Sequence, residues 1–202
     1  MGLEEENYAQ LRQLAENWGA SLFGVGEAGR PLELSPHMTP ELSSGLEKAI
    51  SMGVLLSRKI LDDIKGQPTP LYSYHYRRAN NALDQLGIVI ANRIQALGYQ
   101  ALPVPASQIV DWEKQTGLIS HREAAYAAGL GFRGLNSLLV NPRFGAQVRL
   151  VTVLTDMPLK TDEPIREGHC ESCMACLSLC PAKAIGRKHE EFDRWACLEK
   201  LK

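Results

Sequence analysis

Apolar positions near the N-terminus recur at helical spacing. Tyr8, Leu11, Leu14, Ala15 and Trp18 share one face, and Gly19 follows as a stop, which predicts a first helix from Glu5 to Trp18. Leu22 to Val25 reads as a short strand, and Gly26 to Pro40, rich in Gly and Pro, as loop. Thr39-Pro40 has the form of a cap followed by proline at the first helical position. Ile50 to Leu56 is an apolar run of strand length, and Ser57 to Ile64 a short helix closed by Gly66. The longest periodic stretch comes next. Tyr72, Tyr76, Ala79, Leu83, Leu86, Ile90, Ile94 and Leu97 are spaced by three and four, and Gly98 ends the run. This stripe reads as core packing, which is simpler than a pocket lined by Tyr72, Tyr74 and Tyr76. Gln100 to Val104 is a further strand.

Ser120-His121-Arg122-Glu123 is a capping box, in which the Ser and Glu side chains satisfy free N–H groups at a helix start. The helix it opens runs through Ala128 and stops at Gly129. Leu138 to Val140 and Gln147 to Leu154 read as two strands joined by the turn from Asn141 to Gly145. Helices and strands mix without strict alternation, so the expected class is α+β. Pro158, Pro164 and several charges suggest a domain boundary between Asp156 and Glu167.

Gly129-Leu-Gly131-Phe-Arg-Gly134 matches G-x-G-x-x-G. A dinucleotide fingerprint needs a strand before it and a helix after it. Here a capped helix comes first and a strand follows, so Gly129 reads as a helix C-cap. The glycines then either let backbone approach a bound cofactor or serve a tight turn alone.

The net charge of −1 argues against a broad nucleic-acid surface. The N-terminus, Met-Gly-Leu-Glu-Glu-Glu, lacks the form of a signal peptide, and no apolar run suits a membrane span. The expectation is a cytoplasmic protein with no membrane partner. All five cysteines lie between Cys170 and Cys197. An odd, clustered set in a cytosolic chain points to a metal site and away from a disulfide framework.

Cys170-x-x-Cys173-x-x-Cys176-x-x-x-Cys180-Pro181 is the bacterial ferredoxin run, in which soft thiolates wrap an iron–sulfur cubane. Structural zinc is the competing reading, but zinc sites usually show two separated pairs. The fourth Cys of such a run usually points to a second cubane. Each cubane takes four cysteines, and the chain has five, with Cys197 five residues from its end. Either one 4Fe–4S cluster forms, with Cys180 or Cys197 as fourth ligand, or a further segment or partner completes two.

The chain resembles the epoxyqueuosine reductase family, which is related to the reductive dehalogenases. The resembling stretches are Ala49-Ile-Ser-Met-Gly-Val, Pro68-Thr-Pro-Leu-Tyr, Ala127-Ala-Gly-Leu-Gly-Phe-Arg-Gly-Leu-Asn136, Arg149-Leu-Val-Thr-Val-Leu-Thr-Asp156 and the cysteine run. Cys197 sits where the family has an isolated ligand of the second cluster. The resemblance implies a nitroreductase-like core over residues 1–160 that binds a corrinoid (cobalamin). A ferredoxin-like 4Fe–4S module, apparently incomplete, would follow over 161–202. Electrons would pass from the cluster to the corrinoid, whose chemistry reduces the substrate. Gly129, Gly131, Arg133, Gly134 and Asn136 are the candidate corrinoid contacts, and His121 is a candidate proton donor, the plainer alternative being an exposed first-turn residue.

Three features depart from the family. Its acidic proton donor precedes the Ala-Gly-Leu-Gly motif, whereas Gln115 to Ser120 contains no acid and Asp111 and Glu113 are out of register. Gly134-Leu135 stands where Gly-Lys is usual, and the second cysteine motif and helical repeats of longer members are absent. With the near-neutral charge, these argue against a tRNA partner and leave the substrate a small molecule of unknown identity. An electron-donor protein is expected. Two functions remain open: a corrinoid-dependent reductase, and a non-catalytic iron–sulfur electron-transfer or assembly partner.

Overall fold

The computed structural model describes residues 2–29, 37–166, 168 and 170–201. The chain runs through α1 (Leu3–Asn17), β1 (Leu22–Glu27), the one-turn α2 (Pro40–Ser43), β2 (Lys48–Leu55), α3 (Arg58–Leu61) and the long α4 (Pro70–Ala96). Next come β3 (Ala101–Val104), α5 (His121–Ala127), the two-residue strands β4 (Phe132–Arg133) and β5 (Leu139–Val140), and β6 (Val148–Thr155). The C-terminal part holds α6 (Cys170–Cys173), α7 (Ala175–Leu179) and α8 (Arg194–Leu201), with a 3-10 turn at His189–Glu191. The expected mixture of helix and sheet is present. Part of the expected loop from Gly26 to Pro40, residues 30–36, lies outside the described residues.

Side-chain alternation along the strands decides which helix packs where. The main sheet has the order β1-β2-β6-β3, with every neighbouring pair antiparallel. On one face Val25, Ile50, Met52, Val151 and Val153 meet Leu11 of α1 and Leu83, Leu86, Ile90 and Ile94 of α4 in one buried cluster. The alternate positions of β1 and β2 are Gly24, Gly26, Ala49, Ser51 and Gly53. On this small-residue face α5 lies against the strands almost backbone to backbone. A Cβ on Gly26 would stand 2.6 Å from the carbonyl carbon of Ala127, and one on Gly24 would strike the carbonyl oxygen of Ala128. Ala124, Ala125, Ala127 and Ala128 are buried and thin enough for this approach.

Two arrangements differ from the expectations. β5 and β6 do not pair across the Asn141–Gly145 turn. β5 pairs with β4, Phe132 opposite Val140, while β6 lies between β2 and β3 in the main sheet. Asn141 redirects the chain: its Oδ1 accepts from the N–H groups of Arg143 (2.9 Å) and Phe144 (3.0 Å), and its Nδ2 donates to the carbonyl of Leu130 (2.7 Å). The second concerns the stretch after Asp156. Met157 and Leu159 are buried in the core, and Asp162 lies along the outer edge of β1. Its N–H donates to the Val25 carbonyl at 2.7 Å, and its Oδ2 accepts from the Val25 N–H (3.0 Å) and the Tyr8 hydroxyl (2.9 Å). Among the described residues no helix is long and apolar enough to cross a membrane.

Candidate functional site: the cysteine module and the loop it docks on

Tight turns bring the thiols of the cysteine run together. Met174 adopts the left-handed conformation at φ 45°, which ends α6 after Cys173 and lets α7 begin again at Ala175. The N–H of Met174 donates to the Cys170 carbonyl at 3.0 Å, and that of Cys180 to the Cys176 carbonyl at 3.1 Å. All five cysteines are free thiols. The Cys176 thiol is pushed up by burial first, and then by the charge fields of Cys170, Cys173 and Cys180. Cys197 sits on α8, which is brought back by a hydrogen bond from the Asp193 N–H to the carbonyl of buried Ala184 at 2.8 Å.

Among the described residues no three His, Cys, Asp or Glu side chains stand close enough to share one metal ion. A single tetrahedral zinc would draw its sulfurs to roughly 4 Å from one another. A polynuclear cluster takes each thiolate at a separate iron and leaves the ligands further apart. The donors in this module are all thiols, and that chemistry suits an iron–sulfur cluster.

The glycine loop closes on its own chain. Gly129, at φ 68°, caps α5. A Cβ there would stand 2.7 Å from the Glu163 carbonyl oxygen, and one on Gly131 2.5 Å from that of Val140. At Gly134 the obstacle is Asn136 Oδ1, at 2.5 Å. Asn136 Oδ1 also accepts from the Leu138 N–H at 3.2 Å. Arg133 forks onto the carboxylate of Glu123 and stacks on Tyr126, 3.9 Å from the ring centre. The cysteine module docks on this loop. His189 Nδ1 lies 3.2 Å from the Gly134 carbonyl, Gly168 packs on the Phe132 ring, and Arg194 Nη1 donates to the Lys114 carbonyl at 2.9 Å.

His121 has both ring nitrogens engaged. Nε2 lies 2.8 Å from the Pro105 carbonyl, which can only accept, so Nε2 carries the proton. Nδ1, 2.8 Å from Thr152 Oγ1, then accepts the hydroxyl hydrogen. Burial is the main cause that lowers the His121 pKa. Arg149 pushes the same way, while the Pro105 carbonyl and Asp84 oppose it. The imidazole is therefore neutral at neutral pH. It borders a cavity of about 170 Å³ between β3 and α5, lined also by Val104, Pro105, Ser107, Gln108 and Ile119. Sequence reasoning missed Thr152 and Arg149. Their signal was available: with Thr155 they are the polar members of an otherwise apolar stretch in β6.

No family model matches the chain. Curated proteins do. Over 111 residues it is 34% identical to the epoxyqueuosine reductase of Aliivibrio fischeri, covering 55% of this chain and 27% of that one. Against the enzyme of Bacillus anthracis it is 34% identical over 102 residues, 48% of this chain and 26% of the other. The chain is similar in sequence to the epoxyqueuosine reductases. It spans about a quarter of the length of these curated relatives. Its fold superposes on the catabolic reductive dehalogenase NpRdhA with TM-score 0.74 at 22% identity, covering 91% of this chain and 26% of the other. It also superposes on an epoxyqueuosine reductase solved with an epoxyqueuosine-modified tRNA-Tyr stem loop, with TM-score 0.63 at 18% identity, covering 87% and 52%.

The epoxyqueuosine reductase homology overturns the argument against a tRNA partner, since a neighbour of the same fold is bound to a tRNA stem loop. The argument failed because net charge is a sum over the whole chain and does not report a local surface. Arg58, Lys59, Arg77 and Arg78 are all exposed on α3 and the first half of α4.

Proposed function

We propose that the chain is a cytoplasmic iron–sulfur oxidoreductase unit of the epoxyqueuosine reductase type. Its nitroreductase-like core takes in residues 1–160, and the ferredoxin-like module over 161–202 begins on the edge of that core, where Asp162 bonds Val25. Cys170, Cys173, Cys176 and Cys180 hold the cluster, with Cys197 as a fifth thiol nearby in sequence. When bound, the cluster supplies electrons singly. The observation that carries the proposal is the docking of the thiol module on the core, through His189 to Gly134 of the glycine loop and through Arg194 to the Lys114 carbonyl. Electron transfer weakens steeply with distance, so a cluster held here serves an acceptor at this edge of the core.

A corrinoid is the acceptor that the family suggests. The cavity beside His121, about 170 Å³, falls below even the usual range for small-ligand pockets, roughly 300–1,000 Å³. The glycines of the loop face their own chain. The residues described do not fit an enclosed corrinoid, and the role proposed for this chain is electron delivery. Those same two observations favour the second reading, an electron-transfer partner without corrinoid chemistry.

Anaerobic purification followed by iron and acid-labile sulfide analysis tests the cluster. Near-equal iron and sulfide is expected, and stoichiometric zinc without sulfide refutes it. Titration of the cluster-loaded chain with cob(II)alamin then separates the two readings. A spectral change on binding favours the reductase, and no binding leaves the electron-transfer partner. The first substrate to assay is an epoxyqueuosine-modified tRNA stem loop.

A further inference from the structure

Arg149 stands on β6 across from Val54 of β2, at the corner where the strand meets the first half of α4. It is half-buried, so its guanidinium has given up part of its hydration. Nε–H donates to Oδ1 of buried Asn80 at 3.0 Å, and the guanidinium carbon lies 4.4 Å from the centre of the Tyr76 ring. These two contacts fix the plane of the fork. The remaining N–H donors have no acceptor among the described residues, and no carboxylate forms an ion pair with Arg149. The acid on this part of α4, Asp84, instead accepts from the Ala106 N–H at 2.8 Å.

The surroundings are hydroxyl groups. Tyr76 Oη lies 3.4 Å from Ser107 Oγ, and the Tyr72 ring is 6.1 Å from that of Tyr76. The Arg149 charge also acts on the Tyr72 hydroxyl. A held guanidinium with free donors, flanked by hydroxyls and lacking a carboxylate partner, matches an oxyanion that accepts two parallel hydrogen bonds. Ser107, the hydroxyl partner of Tyr76, also lines the cavity beside His121.

We propose that Arg149, framed by Asn80, Tyr76, Tyr72 and Ser107, is a binding site for a phosphate group. The phosphate belongs either to a small phosphorylated molecule or to the backbone of an RNA. The site stands whether or not the chain binds a corrinoid.

The test is calorimetric titration of the full chain with inorganic phosphate and, separately, with an unmodified RNA stem loop. Saturable binding of at least one probe is expected, weakened about tenfold or more by Arg149→Gln, since the substitution removes a charge-assisted fork. Arg12→Gln, which alters an exposed guanidinium on α1, leaves phosphate binding unchanged. Saturation by phosphate assigns the site to small phosphorylated ligands. Saturation by RNA alone, with the same loss in Arg149→Gln, assigns it to nucleic acid. Absence of saturable binding by either probe, or affinity of Arg149→Gln within about twofold of the unmodified chain, overturns the proposal. A readout in the unmodified chain covers a misfolded variant: the Arg149 Nε–H resonance, identified by its loss in Arg149→Lys, shifts as the probe saturates. A resonance that stays in place at saturation also overturns it.

Discussion

Gly26→Ala tests whether α5 rests directly on the sheet. The new Cβ would stand 2.6 Å from the Ala127 carbonyl carbon, 2.8 Å from its oxygen and 2.8 Å from the Ala128 nitrogen. All three obstacles are backbone, so no side-chain rotation relieves them, and the helix itself must move by several tenths of an ångström. Overpacking of one methyl costs about 1–3 kcal/mol, and rigid neighbours place this site near the top of that range. For a chain of this size, about 2–3 kcal/mol lowers the melting temperature by roughly 5–10 °C. Gly29→Ala is the control, because nothing lies within 4 Å of a Cβ there. With ordinary backbone angles it should be neutral or stabilise by up to about 1 kcal/mol, through the unfolded state. Urea unfolding followed by circular dichroism measures both, with an unchanged m-value as the check on a common unfolded state. In Gly26→Ala, exchange of the Leu130 amide, which bonds the Ala125 carbonyl at 2.9 Å, should also quicken. A Gly26→Ala midpoint within about 0.5 kcal/mol of the unmodified chain would refute the close seating of α5.

Ser51 Oγ is buried with no hydrogen-bond partner among the described residues, so Ser51→Ala should be neutral or stabilising. Thr152→Val leaves His121 Nδ1 without its donor and should cost about 1–3 kcal/mol in urea unfolding. The His121 pKa is depressed in the folded chain, so its contribution is present above the unfolded value, about 6.5, and is lost as pH falls through the folded value. Stability measured from pH 7 to pH 5 should fall less steeply in His121→Gln, and an identical slope would count against a buried neutral imidazole. Tyr8 is raised by burial and by Asp162, so its contribution is present below about pH 10 and is lost as pH climbs toward the folded value; Tyr8→Phe should flatten the alkaline limb of the unfolding profile. Cys173→Ser should strip most of the bound iron, and Cys197→Ser much less; equal loss by iron analysis would make Cys197 a ligand of the same cluster.

The elements that the sequence determined alone are those whose signal lies within one or two turns of chain. The stripe from Tyr72 to Leu97 became α4, Pro70–Ala96, because a three-four spacing has one helical solution. The Ser120 cap is in place, with its Oγ accepting from the Glu123 N–H at 3.4 Å. The spacing of Cys170, Cys173 and Cys176 points to its proposed chemistry in the same local way, since a short loop around one cluster is a local object. Partners distant in sequence were settled only by the fold. Periodicity marks β5 and β6 as strands but does not say that one joins β4 and the other lies between β2 and β3. Nothing near Asp162 announces that it completes the edge of β1, more than a hundred residues earlier. The glycines of the loop are required by Glu163 and Val140, and Arg149 and Thr152 acquire meaning only from Asn80, Tyr76 and His121. A strand's alternation states which face a side chain takes. What waits on that face depends on contacts across the whole chain, and those are set by packing.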